Sequence, residues 1–245
     1  LARGCDYLLE HALNDHGQFS TSGTPSTTID CLQGNLCWAL TELGVDPARL
    51  EKAYEWMARS VTGEGVAPKE AQQARLRYYA YKCGPRFACG ANYGQACAWG
   101  AAKVMRAFAS WPRERRTSLI ERAIQQGVEF LLGIDPATGA YPSGENEKPS
   151  GNWWKFGFPV FYVSDILEIV EGLAGLGYGN DPRLANALAL IRNKRDAEGR
   201  WALEYDYRGK TWVDFGEKNQ ANPWVTIRGV RCLQSVADIS VRGQY

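Results

Sequence analysis

IRNKRDAEGRW (191–201) runs from an apolar helical end through a short polar turn to Gly199, and two positions later to Trp201. A glycine there suits a backbone with positive φ, and the aromatic can fold back onto the end of the helix it follows. The same order recurs in YLLEHALNDHGQF (7–19), WMARSVTGEGVA (56–67) and FLLGIDPATGAY (130–141). Their glycines are Gly17, Gly65 and Gly139, and the residues two positions on are Phe19, Ala67 and Tyr141. Four helix ends written alike are the mark of a repeat, and the repeat decides the fold.

The helices before these turns are amphipathic. Leu50, Ala53, Tyr54 and Met57 keep the helical spacing, as do Ile120, Ile124, Val128 and Leu131, and Leu184, Leu188 and Ile191. Asp46-Pro47 and Asp181-Pro182 read as N-caps followed by a proline at the first helical position. Between the turns lies a second kind of helix, poorer in charge and richer in small residues: CLQGNLCWALTELG (31–44), CAWGAAKVMRAFAS (97–110) and SDILEIVEGLAGLG (164–177). PWVTIRGVRCLQSVAD (223–238) closes the series. Low charge implies burial on most sides, so these helices belong inside and the amphipathic ones outside. Long segments at 66–94, 140–162 and 202–221 enter between a turn and the next inner helix, and no run alternates as a strand would. The expectation is one all-α domain over residues 1–245, built from helical hairpins around a centre.

Composition narrows the function classes. With a net charge of +1, the chain has no electrostatic case for nucleic acid or an anionic membrane surface. No apolar run approaches the roughly 18 residues that span a bilayer, and LARGCDYLLEHAL (1–13) reads as a helix rather than a signal peptide. Seven cysteines, an odd number in a chain too long to need staples, lean towards a reducing, cytoplasmic setting. The unusual quantity is aromatic content, nine Trp, twelve Tyr and eight Phe, with several of them in loop-like segments.

FGFPVFYVSDILEIVEGLAGLGYGNDPRLANAL (156–188) and EYDYRGKTWVDFGEKNQANPWVTIRGVRCL (204–233) resemble bacterial squalene-cyclase-like proteins of unassigned function. RDAEGRW (195–201) is similar to the Gln-Trp repeat motif of the cyclases, with Arg195 where that family usually carries Gln. Over nearly its whole length the chain resembles the terpenoid cyclase and protein prenyltransferase superfamily. The resemblance implies an α/α toroid enclosing a cavity at one end, lined by inner-helix N-termini and the loops feeding them, and suited to a hydrophobic, isoprenoid-like molecule. Neither catalytic set of the superfamily carries over. The Asp-x-Asp-Asp motif by which class II cyclases protonate their substrate is missing, and the histidines, His11 and His16, lie at the first outer helix, away from where prenyltransferases hold zinc. Four hairpins and a final helix are also fewer than a complete ring usually contains, so the arc is expected to be open, or closed by a partner or a second copy.

Three constellations remain. Cys31 and Cys97 start neighbouring inner helices, and Cys83 and Cys89 lie on the loop entering the second of them. Four thiolates converging there would suit zinc or an iron–sulfur cluster; disulfides and plain buried thiols are the alternatives, and Cys5, Cys37 and Cys232 read as packing residues. GNWWKFGFPVFYVSD (151–165) leads rings into an inner helix, and Trp153, Trp154, Phe158 and Tyr162, with Trp212 and Trp224, are candidates to face a hydrophobic ligand or simply to pack the loop. EYDYRGKTWVDFGEK (204–218) offers Glu204, Asp206, Asp214 and Glu217. Asp214 there, and Asp165 in the first turn of an inner helix, are the candidate acids; solvated ion pairs and dipole stabilisation are the bland readings. Three functions follow: a cyclase-like pocket for an apolar molecule, a non-catalytic scaffold with a cysteine-held metal, or a carbohydrate-active barrel using opposed carboxylates.

Overall fold

The side chains of Asp46 and Asp181 each accept the backbone N–H two residues on, from Ala48 at 3.0 Å and Arg183 at 2.9 Å. The proline after each opens a single 3₁₀ turn, and the α-helix starts only beyond it. In the computed structural model, which describes residues 1–79, 82–144, 149–161 and 163–242 with side chains to 237, eight α-helices follow one another among the described residues. They are α1 (Ala2–His11), α2 (Asp30–Glu42), α3 (Glu51–Thr62), α4 (Ala98–Ser110), α5 (Ser118–Leu132), α6 (Ile166–Gly175), α7 (Ala185–Asn193) and α8 (Pro223–Arg242). No strand forms among those residues beyond isolated bridges. None of the helices found there is long and apolar enough to cross a membrane.

α2, α4, α6 and α8 pack side by side in that order, and α3 and α5 contact each other. α2 with α3, α4 with α5 and α6 with α7 make the hairpins, and one buried core runs from Cys5 to Val236. Small residues in the inner row allow close approach. A Cβ on Gly34 of α2 would sit 2.5 Å from the Lys103 carbonyl carbon, and one on Gly172 of α6 would sit 3.2 Å from the Arg106 nitrogen. The α4 backbone is therefore approached from both sides by helices carrying no side chain at the crossing.

The repeated turns behave as expected. Gly17, Gly65, Gly139 and Gly199 all have positive φ, from 60° to 85°. At Gly17 the turn also runs against α3, where a Cβ would lie 2.0 Å from the Lys52 carbonyl oxygen, so no other residue fits. The rings fold back: the Trp201 indole donates to the Ile191 carbonyl at 2.8 Å and the Tyr141 hydroxyl to the Leu131 carbonyl at 2.5 Å. Each ties down a carbonyl that the end of its helix leaves unpaired. The second turn carries Ala67, which has no ring to offer. There the backbone pairs Ala67 with the chain ten residues on (Ala67 N to Leu76 O and Tyr78 N to Ala67 O, both 3.0 Å), and Tyr78 donates to the Ser60 carbonyl at 2.9 Å. A long insertion has supplied the missing aromatic.

The inner row also holds buried charge. The Lys103 ammonium lies 2.8 and 2.7 Å from the two Glu168 oxygens, with both side chains sealed from solvent. Arg228 of α8 makes a bidentate pair with Asp165, both contacts at 2.7 Å. These pairs join α4 to α6 and α6 to α8.

Candidate functional site

Where α2 and α4 begin, the walls separate and leave a cavity of about 990 Å³. Ile29 and Cys97, the residues just before the two helices, are extended, so each chain enters its helix from outside rather than filling the space with a preceding turn. The lining is mostly apolar, with Trp38, Trp99, Tyr141, Trp153 and Phe161 contributing rings. Polar groups of the lining include Asp30, Cys31, Cys89, Cys97, Lys82 and Asn92. A large apolar hollow with convergent polar groups is the usual form of a small-molecule site.

Asp30 is the unusual acid. Its carboxylate is buried, and its Oδ1 accepts a hydrogen bond from the Ser60 hydroxyl of α3 at 3.0 Å. Burial pushes its carboxyl up to about 7; the Ser60 hydrogen bond opposes this and the charge on nearby Cys89 adds to it. Because the folded value exceeds the unfolded one, the stability this group confers is complete below about pH 4 and is lost as the pH rises to about 7. Replacing Asp30 with Asn keeps the acceptor for Ser60 and removes the titration. Its stability advantage over the wild type should grow through that window at up to ~1.4 kcal/mol per pH unit and level off above it. Urea unfolding at a series of pH values measures this; parallel pH profiles for the two proteins would dispose of it.

The cysteines separate into two places. Cys83 is buried with Trp56 and Tyr78 in a cluster of its own, away from the cavity lining. The four-thiolate centre expected from Cys31, Cys83, Cys89 and Cys97 is therefore not formed, because the loop turns Cys83 towards α3 instead. Among the described residues no group of three or more His, Cys, Asp or Glu side chains is placed to hold a metal ion, and neither zinc nor an iron–sulfur cluster has a ligand set there. None of the seven cysteines is in a disulfide. Cys89 and Cys97 hydrogen-bond to each other. With that bond leading and the amides of Ala91 and Asn92 and the Lys82 charge assisting, the Cys89 thiol is held at about 6 against the opposing effect of its burial. Cys97 shares the hydrogen bond, is more enclosed, and is pushed up. Burial pushes Cys31 up to about 11.

The aromatic candidates also divide. Trp153 lines the cavity, its indole donating to the Pro136 carbonyl at 2.8 Å. Trp154 instead anchors to the Ala137 carbonyl at 2.8 Å and lies outside the lining. Phe158 and Trp224 stack on each other at 5.0 Å with Phe215 edge-on, a packing cluster away from the cavity. Trp212 is fully exposed, and Tyr162 lies outside the described residues. Of the two candidate acids, Asp165 caps α6, accepting the Glu168 N–H at 3.1 Å, and its two oxygens are engaged by Arg228; it is not among the residues lining the cavity. Asp214 is solvated on the 208–217 loop, 4.0 Å from Arg208. With Asp206 it borders a hollow of about 10 Å³, room for a water molecule and not for a sugar. Glu204 is spent on Lys194, at 2.6 Å, and on the Phe156 N–H, at 2.9 Å.

Asp30, Trp38, Trp99 and Tyr141 are the site residues that motif reading passes over. Asp30 stands beside Cys31 at the start of an inner helix, where an acid ordinarily reads as a dipole partner. Its burial by Ser60 is what distinguishes it. A scan against protein-family models and a search of curated proteins find no match for this chain.

Proposed function

We propose that the chain is an α/α-toroid domain of the terpenoid cyclase and protein prenyltransferase kind, and that it binds an apolar small molecule, isoprenoid in class, in the cavity at the start of α2 and α4. The cavity itself carries this reading: about 990 Å³, walled mainly by apolar groups and rings, at the end of the inner row. Desolvating an apolar ligand there contributes about 25 cal/mol for each Å² buried. The toroid reading is supported by the side-by-side order of α2, α4, α6 and α8, and by an ion pair at 4.0 Å from Arg231 of α8 to Glu42 of α2. Asp30, protonated near neutrality on the cavity wall, is the carboxyl best suited to give a proton to a bound alkene or to hydrogen-bond a ligand oxygen. Aromatic faces around it suit a developing positive charge. A plugged cavity would have favoured the scaffold reading, and opposed carboxylates across a groove the carbohydrate reading; the cavity is open space and the 204–217 acids are engaged or solvated.

Three of the lining rings are tryptophans, so binding reports directly. Titration with farnesol, a C15 isoprenoid alcohol, should shift and quench tryptophan emission with saturation, and Gly100→Trp at the cavity wall should weaken the effect about tenfold or more by filling the space. Unsaturable, linear quenching that the Gly100→Trp change leaves untouched would reject the reading.

A further inference from the structure

Cys89 and Cys97 are brought together by the backbone. Ala88 and Ala96 form an antiparallel bridge, flanked by hydrogen bonds from Cys89 N to Gln95 O at 3.0 Å and from Cys97 N to Phe87 O at 2.9 Å. Residues next to a bridge point to its opposite face, so both thiols emerge on one side as a diagonal pair. That side is the cavity wall. The loop between them is closed on itself: Asn92 donates to the Ala96 carbonyl at 3.0 Å and to the Pro142 carbonyl at 2.9 Å, and accepts from Gly144 N at 2.9 Å. It is also strained. Three of the four non-glycine residues with positive φ among those described lie in or just before it, Tyr93 within the loop and Arg86 and Phe87 on the approach to Cys89. Strain of this kind, on the order of 1–3 kcal/mol per residue, gathers where a structure holds a functional geometry.

We propose that Cys89 and Cys97 form a thiol–disulfide exchange site in the cavity wall, with Cys89 as the attacking thiolate, Cys97 as the resolving thiol and a low-molecular-weight disulfide as the substrate. The Cys89 sulfur attacks one sulfur of the incoming disulfide; an S–S bond forms to Cys89, the original S–S bond breaks, and one thiolate leaves. Cys97 then loses its proton to solvent and attacks the Cys89 sulfur, closing the Cys89–Cys97 disulfide and expelling the second thiolate. The two protein thiols are oxidised by two electrons and the small disulfide is reduced to two thiols. Polarity within the pair sets the order. Amides face both thiols, Ala91 and Asn92 at Cys89 and Trp99 and Gly100 at Cys97, but Cys89 alone has the Lys82 charge beside it and is the more open of the two to an incoming disulfide. Cys31 lines the same cavity, but there burial and the Asp30 charge outweigh the Leu32 amide and the Lys103 charge, and it serves as an internal comparison. Dithiol exchange needs no apolar ligand, so this proposal and the binding reading fail separately.

The test uses the intact chain with glutathione disulfide as the probe, followed by intact and peptide mass analysis. Wild type should lose the mass of two hydrogens and yield a linked Cys89–Cys97 peptide. Cys97→Ser keeps a hydroxyl donor for Cys89 and should trap the glutathionyl adduct on Cys89. Cys89→Ser should carry no adduct on Cys97, and modification of Cys89 at neutral pH should outpace that of Cys31 by about tenfold or more. Helical circular dichroism verifies that each variant is folded, with Cys89→Ala as the replacement if Cys89→Ser is not. Adduct on Cys97 in a folded Cys89 variant, equal rates at Cys89 and Cys31, or a wild type that stays reduced with glutathione disulfide in excess would each overturn the proposal.

Discussion

Glu168→Leu should lower stability by about 3–5 kcal/mol, the range for removing one partner of a buried ion pair. Glu168 accepts from Lys103 at 2.7 and 2.8 Å and from Arg106 at 3.2 Å, with no exposure of its own side chain. Its removal leaves the Lys103 ammonium in the core with a single carbonyl, that of Val163, at 3.4 Å. Arg106 loses less, since it retains Glu171 at 3.7 Å and lies over the Trp38 ring at 3.4 Å. The double variant Lys103→Met/Glu168→Leu should therefore recover most of the loss, because the cost lies in the stranded charge and not in the missing attraction. A double-mutant cycle by urea unfolding decides the matter. Additive losses would mean that the two side chains do not act as a pair.

Trp201→Ala should cost a similar amount, about 3–5 kcal/mol, through the cavity it leaves. The indole is 1% exposed and lies so close to α8 that a Cβ on Gly229 would fall 2.9 Å from its ring. Its N–H satisfies the Ile191 carbonyl, and its own backbone N–H donates to the Thr226 hydroxyl of α8 at 3.1 Å. Trp201→Phe separates the contributions. It retains much of the ring volume but leaves the Ile191 carbonyl unpaired, for a loss of about 1–3 kcal/mol. If thermal unfolding places the Phe variant level with Ala, the packing argument fails; if it is level with wild type, the hydrogen bond contributes nothing.

The helices, their ends and the two classes of inner and outer helix were legible in the sequence because each rests on neighbours along the chain. Gly199, Trp201 and the Ile191 carbonyl lie within eleven residues of one another, so the turn, the ring and the helix end it closes form one local unit. The same holds for Gly139, Tyr141 and Leu131. Where the local unit is incomplete, at Ala67, the replacement ring comes from Tyr78, and only backbone pairing across the insertion reveals it.

The site was legible only in part. Trp153 was marked because it stands in an aromatic run, and it does line the cavity, whereas Trp154 beside it turns towards Ala137. Cys31 and Cys97 stand out by their place at inner-helix starts and Cys89 by its place on the loop entering the second, and all three line the cavity; Cys83, on the same loop, packs with Trp56. Asp165 and Asp30 begin inner helices alike. The difference between them is made by non-local partners: Arg228 supplies a countercharge to one, and Ser60 offers the other only a neutral hydroxyl. The sequence by itself determined where helices start, stop and turn a face inward, since these depend on residues within a few positions of each other. Tertiary structure alone decided which acid meets a countercharge and which thiols meet, because burial and charge depend on groups that the chain brings back from far away.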